Sequence, residues 1–240
     1  MRFAEHQIEL VVVGDAKGPA EYSRKGVLFY NLERQVALPL PLASRLPKGH
    51  YTRKNLGYLI AIQRGATCIY ETDDDNAPLE AWKPRDRSVQ ARMARQSGWV
   101  NVYAAFGERD IWPRGFALEK IAECDGAGIH LLDPQQDVMA PIQQGLTNGS
   151  PDVDAIWRLT QDRRVLFSAG ESIAIGRGTW CPFNSQSTWW WEPAFPLLYL
   201  PSHCSFRMTD IWRSFIAQRC LWELGLPRRV SPTRSPSGEK

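Results

Sequence analysis

The sequence has no CxxC pair, and its five cysteines are scattered along the chain in an odd number. This pattern argues against a structural zinc site and a paired disulfide framework, and it favours a reduced, cytoplasmic setting. No apolar run approaches the roughly 20 residues that a membrane span needs. Charged residues also interrupt the N-terminal stretch where a signal peptide would need an apolar core. We therefore predict a cytoplasmic protein without a membrane span.

The chain also lacks internal repeats and a strong charge of one sign. Its net charge is +3 over 240 residues, and positions 227–240 hold four basic residues against Glu239, which accounts for that excess. The remaining body is near neutral, so a basic groove for nucleic acid is not predicted. Because residues 227–240 are rich in Ser, Pro and Arg, we predict a disordered basic tail there, after a single domain over residues 1–226.

Strand-like and helix-like segments alternate in the first third of the chain. "IELVVVGD" (8–15) is typical of a buried parallel strand, residues 52–66 have helical apolar spacing, and "TCIYE" (67–71) predicts a second strand. This order predicts a βαβ unit and an α/β fold. Ligands of open α/β sheets bind beyond the carboxyl ends of strands, where Asp15 and residues 73–75 lie.

The later part of the chain is predicted with three further elements. Residues 99–107 favour a strand, and residues 150–160 favour a helix with Ser150 as its N-cap. Residues 209–225 give the clearest helix, capped by Thr209. Its core-facing side is predicted from the apolar spacing, at positions 211, 212, 215, 216 and 220.

Four stretches in consistent order carry a family resemblance: "RKNLGYLIAIQRGATCIYETDDDN", "DVDAIWRL", "PFNSQST" and "CSFRMTDIWRSFIAQRCLW". Together they resemble the STELLO-type glycosyltransferase-like proteins, distant relatives of the reversibly glycosylated polypeptides, also called UDP-arabinopyranose mutases. The resemblance implies a GT-A fold, which is a single Rossmann-like α/β domain with a mixed central sheet flanked by helices. The plant members have an N-terminal membrane anchor that this sequence lacks, so Golgi residence is not expected.

The resemblance also implies an activity. We expect a metal-dependent glycosyltransferase, or a sugar-nucleotide mutase-like enzyme, that uses a nucleoside-diphosphate sugar, with UDP favoured and Mn²⁺ or Mg²⁺ as cofactor. The acceptor would be an unknown glycan or small molecule. The main alternative is a non-catalytic GT-A-like binding or scaffold protein. A metal-dependent nuclease or phosphatase would also use clustered carboxylates, but the near-neutral body does not favour it.

The aspartate run at residues 73–75 matches the DxD-type position of GT-A enzymes. In an extended stretch Asp73 and Asp75 would point the same way, so they are the predicted metal ligands. Asp73 and Asp74 are also predicted to contact the nucleotide. The alternative is a solvated acidic turn.

Nucleotide contacts are predicted at two further places. Asp15 can bind a base or ribose, or simply end its strand in a turn. Arg53, Lys54 and Asn55 begin the first predicted helix, where free amides attract anions. Basic side chains are unfavourable beside a helix dipole, so their presence there favours a diphosphate contact.

Three later aspartates are the predicted catalytic or sugar-positioning residues. Asp152 and Asp154 lie in "DVDAIWRL", and Asp210 precedes an Ile-Trp pair where the family has an acidic residue near the reacting sugar. For all three the alternative is simple stabilisation of a helix start.

Overall fold

The computed structural model describes residues 2–80, 82–94, 97–107, 109–124, 129–132, 134–161 and 163–232. The α-helices within these residues are α1 (Arg2–Glu5), α2 (Leu32–Val36), α3 (Lys54–Gln63), α4 (Val102–Phe106), α5 (Ile121–Cys124), α6 (Ala155–Gln161) and α7 (Thr209–Glu223). The first strands are β1 (Leu10–Val13), β2 (Val27–Tyr30), β3 (Cys68–Thr72), β4 (Ser88–Met93), β5 (Gly98–Trp99) and β6 (Gln136–Met139). The remaining strands are β7 (Ile142–Gly145), β8 (Ile173–Ile175), β9 (Thr179–Trp180), β10 (Ser187–Trp191) and β11 (Arg228–Ser231).

A seven-stranded sheet forms the centre of the fold, in the order β3-β10-β7-β11-β8-β4-β6. β7 with β11 and β4 with β8 are parallel pairs, and the other neighbours are antiparallel. This mixed sheet with flanking helices confirms the predicted α/β fold class. Within the described residues, no helix combines the length and apolar character needed to cross a membrane.

The predicted βαβ unit within one sheet is wrong. β1 pairs in parallel with β2 in a separate two-stranded sheet, whereas β3 pairs antiparallel with β10 over five residue pairs. α3 still packs on β1, and a Cβ on its Gly57 would lie 3.1 Å from Val13 Cγ2, so the glycine allows the close approach. β10 lies between β3 and β7, and its adjacent residues Trp189 and Trp190 are buried on opposite faces of the sheet.

The core has two large hydrophobic clusters. The first joins α3, α7 and the β3-β10-β7 end of the sheet around the fully buried Trp190. The second joins α4 and α6 to β8 and β11 around the fully buried Trp157. Both tryptophan indoles donate hydrogen bonds, to Glu71 and to the Asp110 carbonyl respectively, so neither ring leaves a buried N–H unpaired.

The predicted boundary of the basic tail is also wrong. β11 lies between β7 and β8 in the central sheet, so the folded chain continues past residue 227. Arg228 is buried there and donates to Gln144 Oε1 and to the Cys181 carbonyl, at 3.2 and 3.1 Å. The composition of this stretch is misleading because the two terminal nitrogens of Arg228 find polar acceptors inside the protein instead of in water. Residues 233–240 lie outside the described residues.

Two local predictions also change. Residues 99–107 are predicted as a strand, but after β5 the chain turns at Asn101, whose side chain accepts the Ala104 amide, and continues as α4. The helix predicted over 150–160 begins later, as α6, because Val153 pairs with Pro113 in an isolated β-bridge. α7 begins at Thr209, although the hydroxyl of that residue donates to the Phe206 carbonyl and does not cap the helix.

Candidate functional site

The chain segment 49–54 links Asp15 to the aspartate run, although their strands belong to different sheets. Asp15 accepts hydrogen bonds from the amides of Gly49 and His50 at 2.9 and 3.1 Å. Partial burial acts to raise the pKa of Asp15, but these amides, the Ala16 amide and the Arg53 charge lower it overall. Asp15 therefore stays ionised, and its contacts hold the loop that precedes α3.

Asp73 lies at the other end of this segment and is held by two donors. The Tyr51 hydroxyl donates to Asp73 Oδ1 at 2.6 Å, and Lys54 Nζ contacts the same oxygen at 2.5 Å. Burial, followed by the Asp73 and Glu71 charges, raises the pKa of Tyr51, so its hydroxyl remains a donor. Lys54 Nζ also lies 4.0 Å from Glu71, so one ammonium group faces two carboxylates.

The aspartate run forms a turn beyond β3, so strand alternation does not orient Asp73 and Asp75. The Asn76 amide donates to the Asp73 carbonyl at 3.3 Å, and Asp74 and Asp75 are exposed. Among the described residues, no group of three or more His, Cys, Asp or Glu side chains is placed to hold a metal. The donors therefore do not fit an all-protein metal cage. Carboxylate oxygens do fit Mg²⁺ or Mn²⁺ that keeps its waters and takes substrate phosphate oxygens as further ligands.

Asp152 and Asp210 converge on one guanidinium group. Arg114 pairs in two-pronged fashion with both carboxylates, at 2.6 Å from Asp152 Oδ2 and 2.9 Å from Asp210 Oδ2. Burial acts to lower the pKa of Arg114, but the hydrogen bonds and charges of the two aspartates raise it overall. Asp210 is 3% exposed and also accepts the Ser185 amide at 3.2 Å.

The charges of Asp210 and Asp73 both act on Asp152. Burial raises the pKa of Asp152, Arg114 opposes the rise, and the charges of Asp210 and Asp73 add to it. Asp73 and Asp210 also both act on Tyr51. The structure thus pairs Asp73 with Lys54, pairs Asp152 and Asp210 with Arg114, and places the two groups close enough for their charges to interact.

A buried ion pair beneath the site connects its two halves. Arg213 of α7 lies 3.1 Å from Glu71 of β3, and both side chains are only 1% exposed. Glu71 also accepts from the hydroxyl of Tyr58 and from the Trp190 indole. The Arg213 guanidinium donates to Ser185 Oγ at 2.6 Å, and the amide of the same Ser185 reaches Asp210. The pair therefore holds the end of β3 against the start of α7.

Two of the three predicted anion-binding residues of α3 point into the protein. Arg53 is buried, and its guanidinium donates hydrogen bonds to Gln35 Oε1 and to the Leu46 carbonyl. Asn55 is also buried and exchanges two 2.9 Å hydrogen bonds with the backbone of Leu200. The tight turn over residues 51–53, a 3₁₀-helix, directs Arg53 inward, and Lys54 alone of the three reaches the site.

We expect Asn55→Ala to lower the free energy of unfolding by about 1–3 kcal/mol, because it leaves both buried polar groups of Leu200 without a partner. Urea unfolding of the two proteins measures this loss. Gln63→Ala is the matched control, since Gln63 is an exposed amide on the same helix. A change no larger for Asn55→Ala than for Gln63→Ala would contradict the structural role of Asn55.

Asp154 lies apart from this cluster in its contacts. Its Oδ1 accepts the Ile156 amide at 2.8 Å, which is the contact of a helix N-cap at the start of α6. The backbone of Asp154 also accepts the Arg158 amide. The helix-start alternative accounts for this residue, and we assign it no part in the chemistry proposed below.

A polar pocket of about 400 Å³ opens beside Asp75. Its lining includes Asp75, Asn76, Asn148, Arg158, Arg163 and Arg164, and we call it the arginine pocket. Arg163 pairs with Asp110 at 2.7 Å, while Arg158 donates to the Pro151 carbonyl at 3.0 Å. The aspartate run therefore has Lys54 on one side and the arginine pocket on the other.

Sequence reasoning missed Arg114, Glu71 and Arg213. One signal was available for Glu71, because it occupies the same strand face as the buried Ile69, where a charge needs a partner. Arg213 and Ser185 also lie inside the stretches that carry the family resemblance. Arg114 gave no signal, since it lies in a loop between Pro113 and Gly115 without periodicity.

Comparison with known proteins places these residues in a family. The chain is 32% identical to the probable glycosyltransferases STELLO2 and STELLO1 of Arabidopsis thaliana, in alignments 242 positions long. Each alignment covers 90% of the chain. The same alignments span 31% and 30% of those two longer proteins. No model of a protein family matches the chain. The chain therefore belongs to the STELLO-type, glycosyltransferase-like family, and it spans less than a third of the length of these relatives.

Proposed function

We propose that this chain is a glycosyltransferase domain that uses a nucleoside-diphosphate sugar, with UDP as the favoured nucleotide and Mn²⁺ or Mg²⁺ as cofactor. The observation that carries the proposal is that Asp73 pairs with Lys54 while Asp152 and Asp210 share Arg114, and that the Glu71–Arg213 pair connects the two groups. Carboxylates that compete for two cations form a site that a charged substrate can reorganise. The relatives named as probable glycosyltransferases support the reaction class.

The diphosphate is assigned to the Asp73 end of the site. Lys54 is 23% exposed and already points at this position, so it can move from Asp73 to a phosphate oxygen. Asp73 and Asp75 are the residues that would hold the metal. When bound, the metal would neutralise charge that develops on the leaving diphosphate.

The sugar is assigned to the Arg114 end. During transfer, the bond between the anomeric carbon and the diphosphate oxygen breaks, and the bonding electrons leave with the diphosphate. The acceptor oxygen bonds to the anomeric carbon and loses its proton. Asp210, fixed by Arg114 and the Ser185 amide, is the candidate for stabilising the positive charge on the sugar.

Asp152 is the candidate proton acceptor. Its side chain is 18% exposed, against 5% for Asp210, so it is the more accessible partner of Arg114. Burial also raises the pKa of Asp152, which makes it a stronger base than an ordinary aspartate.

We expect UDP with Mn²⁺ to stabilise the protein, by about 2.7 kcal/mol at roughly 100 times the dissociation constant. Thermal unfolding with UDP or GDP, with Mn²⁺, Mg²⁺ or a chelator, measures the effect. Asp75→Ala should remove the metal-dependent part of the stabilisation. Asp137→Ala is the control, because Asp137 is an exposed aspartate on the edge strand β6.

The absence of stabilisation by any nucleotide diphosphate, with or without metal, would contradict this proposal. The non-catalytic alternative makes a different prediction, namely nucleotide binding without hydrolysis or transfer of the sugar. Incubation with UDP-sugars and detection of released UDP distinguishes an enzyme from such a binding protein.

A further inference from the structure

The arginine pocket holds more positive charge than the described residues around it compensate. Asp110 compensates Arg163, and the Asp75 carboxylate lines the same pocket. Arg158 donates only to Ser150 Oγ and the Pro151 carbonyl, and Arg164 is exposed without a hydrogen bond or ion pair to the described residues. Arg158 and Arg164 therefore carry more positive charge than Asp75 offsets, and an anion between them would reduce their mutual repulsion.

The pocket is built on rigid parts of the fold. Arg158 and Arg163 both lie over the ring of the fully buried Trp157, each 5.5 Å from its centre. The wall that carries Arg164 is fixed by two backbone hydrogen bonds between Gly149 and Val165, at 2.7 and 3.1 Å. Gly149 has a φ of +87°, which favours glycine. The contacts with Trp157 therefore hold the Arg158 and Arg163 side chains, and the Gly149–Val165 pairing holds the backbone beside Arg164.

The lining indicates a hydrophilic ligand. Apart from Gly149, the lining residues carry polar or charged side chains, including the amides of Asn76 and Asn148 and the hydroxyl of Ser150. Such groups suit the hydroxyls of a sugar, whereas a lipid tail or a flat aromatic ligand would need apolar walls.

The pocket adjoins the proposed metal position through Asp75, but Lys54, to which the diphosphate is assigned, is not among its lining residues. Asp73 is held by Tyr51 and Lys54, in the segment that also holds Asp15, whereas Asp75 lines the arginine pocket. The diphosphate is assigned to the Lys54 side. A second anionic group would therefore come from the other substrate.

We infer that the arginine pocket binds an anionic group of the acceptor, so that the acceptor is a sugar that carries a phosphate or a carboxylate. Arg164 and Arg158 bind the anion, and the nearby amides and hydroxyl bind the sugar ring. This inference rests on the proposed function only in identifying the ligand as the acceptor. The binding of an anionic sugar can be tested independently of that function.

Binding is tested with two matched pairs of probes, glucose 6-phosphate with glucose and galacturonate with galactose. We expect one or both anionic sugars to bind the wild-type protein at least about tenfold more tightly than its neutral partner, as measured by ligand-observed NMR. Arg164→Gln should weaken the binding of the anionic sugar by about tenfold or more, because the substitution removes a charged hydrogen-bond donor. It should leave UDP binding with Mn²⁺ within about twofold.

Arg177→Gln is the control, because Arg177 is 71% exposed and pairs with Glu223 on another surface. The phosphate and carboxylate arms tell which anion the pocket prefers. Equal binding of charged and neutral sugars, or weakening by Arg177→Gln as large as by Arg164→Gln, would overturn the inference.

Two further outcomes separate this inference from the proposed function. If Arg164→Gln abolishes UDP binding instead, the pocket holds the donor diphosphate and the inference is wrong. If UDP never binds but an anionic sugar binds through Arg164, the proposed function fails while the anionic-sugar site stands.

Discussion

Glu71→Gln is expected to lower the free energy of unfolding by about 3–5 kcal/mol, because it leaves the Arg213 charge buried without its partner. The substitution keeps the size and one acceptor of the side chain, so the lost charge dominates the effect. Both partners are 1% exposed, so water cannot replace the missing carboxylate. Urea unfolding measures the loss. The dependence of the free energy of unfolding on urea concentration is compared between the two proteins, to detect a change in the unfolding transition itself.

The double variant Glu71→Gln with Arg213→Met tests the cause. The double variant should lower the free energy of unfolding by less than the sum of the two single variants, because removing both charges leaves neither one buried without its partner. The Arg219–Glu223 pair on the exposed side of α7 is the control. Glu223→Gln should leave the free energy of unfolding nearly unchanged, because exposed ion pairs contribute little to stability. A loss from Glu71→Gln as small as that of Glu223→Gln would contradict the role of the buried pair.

Asp210→Asn is expected to slow sugar transfer or donor hydrolysis by about 10²-fold or more, while UDP binding stays within a few-fold. Asn keeps the shape and an acceptor for the Ser185 amide, but it removes the charge that would stabilise the sugar. Arg114 retains Asp152 as a partner, so its own charge stays compensated. Steady-state release of UDP, together with thermal unfolding in the presence of UDP and Mn²⁺, separates turnover from binding.

Asp154→Asn is the matched control for this change. Asp and Asn cap helices about equally well, so a residue that only caps α6 should tolerate the exchange with little change in turnover. Since Asp210 is buried, the stability of Asp210→Asn must be measured beside its activity. Near-normal turnover by a folded Asp210→Asn protein would exclude Asp210 from the chemistry. It would leave the residue with a structural role at the start of α7.

Several features of this protein follow from local sequence. β1, β3 and α3 are read from apolar runs and caps, since these patterns reflect short-range backbone preferences. The start of α7 at Thr209 is also predicted correctly, although the side-chain cap on which that prediction rests does not form. The aspartates at the ends of β1 and β3 are also predicted in this way, because a polar run directly after an apolar strand can be recognised from the sequence alone.

The buried face of α7 shows where such reading fails. Apolar spacing predicts that Trp212 and Ile216 face the core, yet their side chains are 53% and 56% exposed. The buried face instead carries Asp210 and Arg213. Their partners, Arg114 and Glu71, come from distant parts of the chain. A hydropathy pattern cannot predict the burial of a charge when that burial depends on such a distant partner.

The candidate site divides in the same way. Its aspartates are predicted from motifs and strand ends, and Lys54 from the start of a helix. The inward turn of Arg53 and Asn55 instead depends on acceptors at Gln35 and Leu200 that only folding brings near. The insertion of β11 between β7 and β8 likewise turns a basic, proline-flanked stretch into a central strand. In each case a polar group is buried because the folded chain supplies its hydrogen-bond partner, and that partner is remote in sequence.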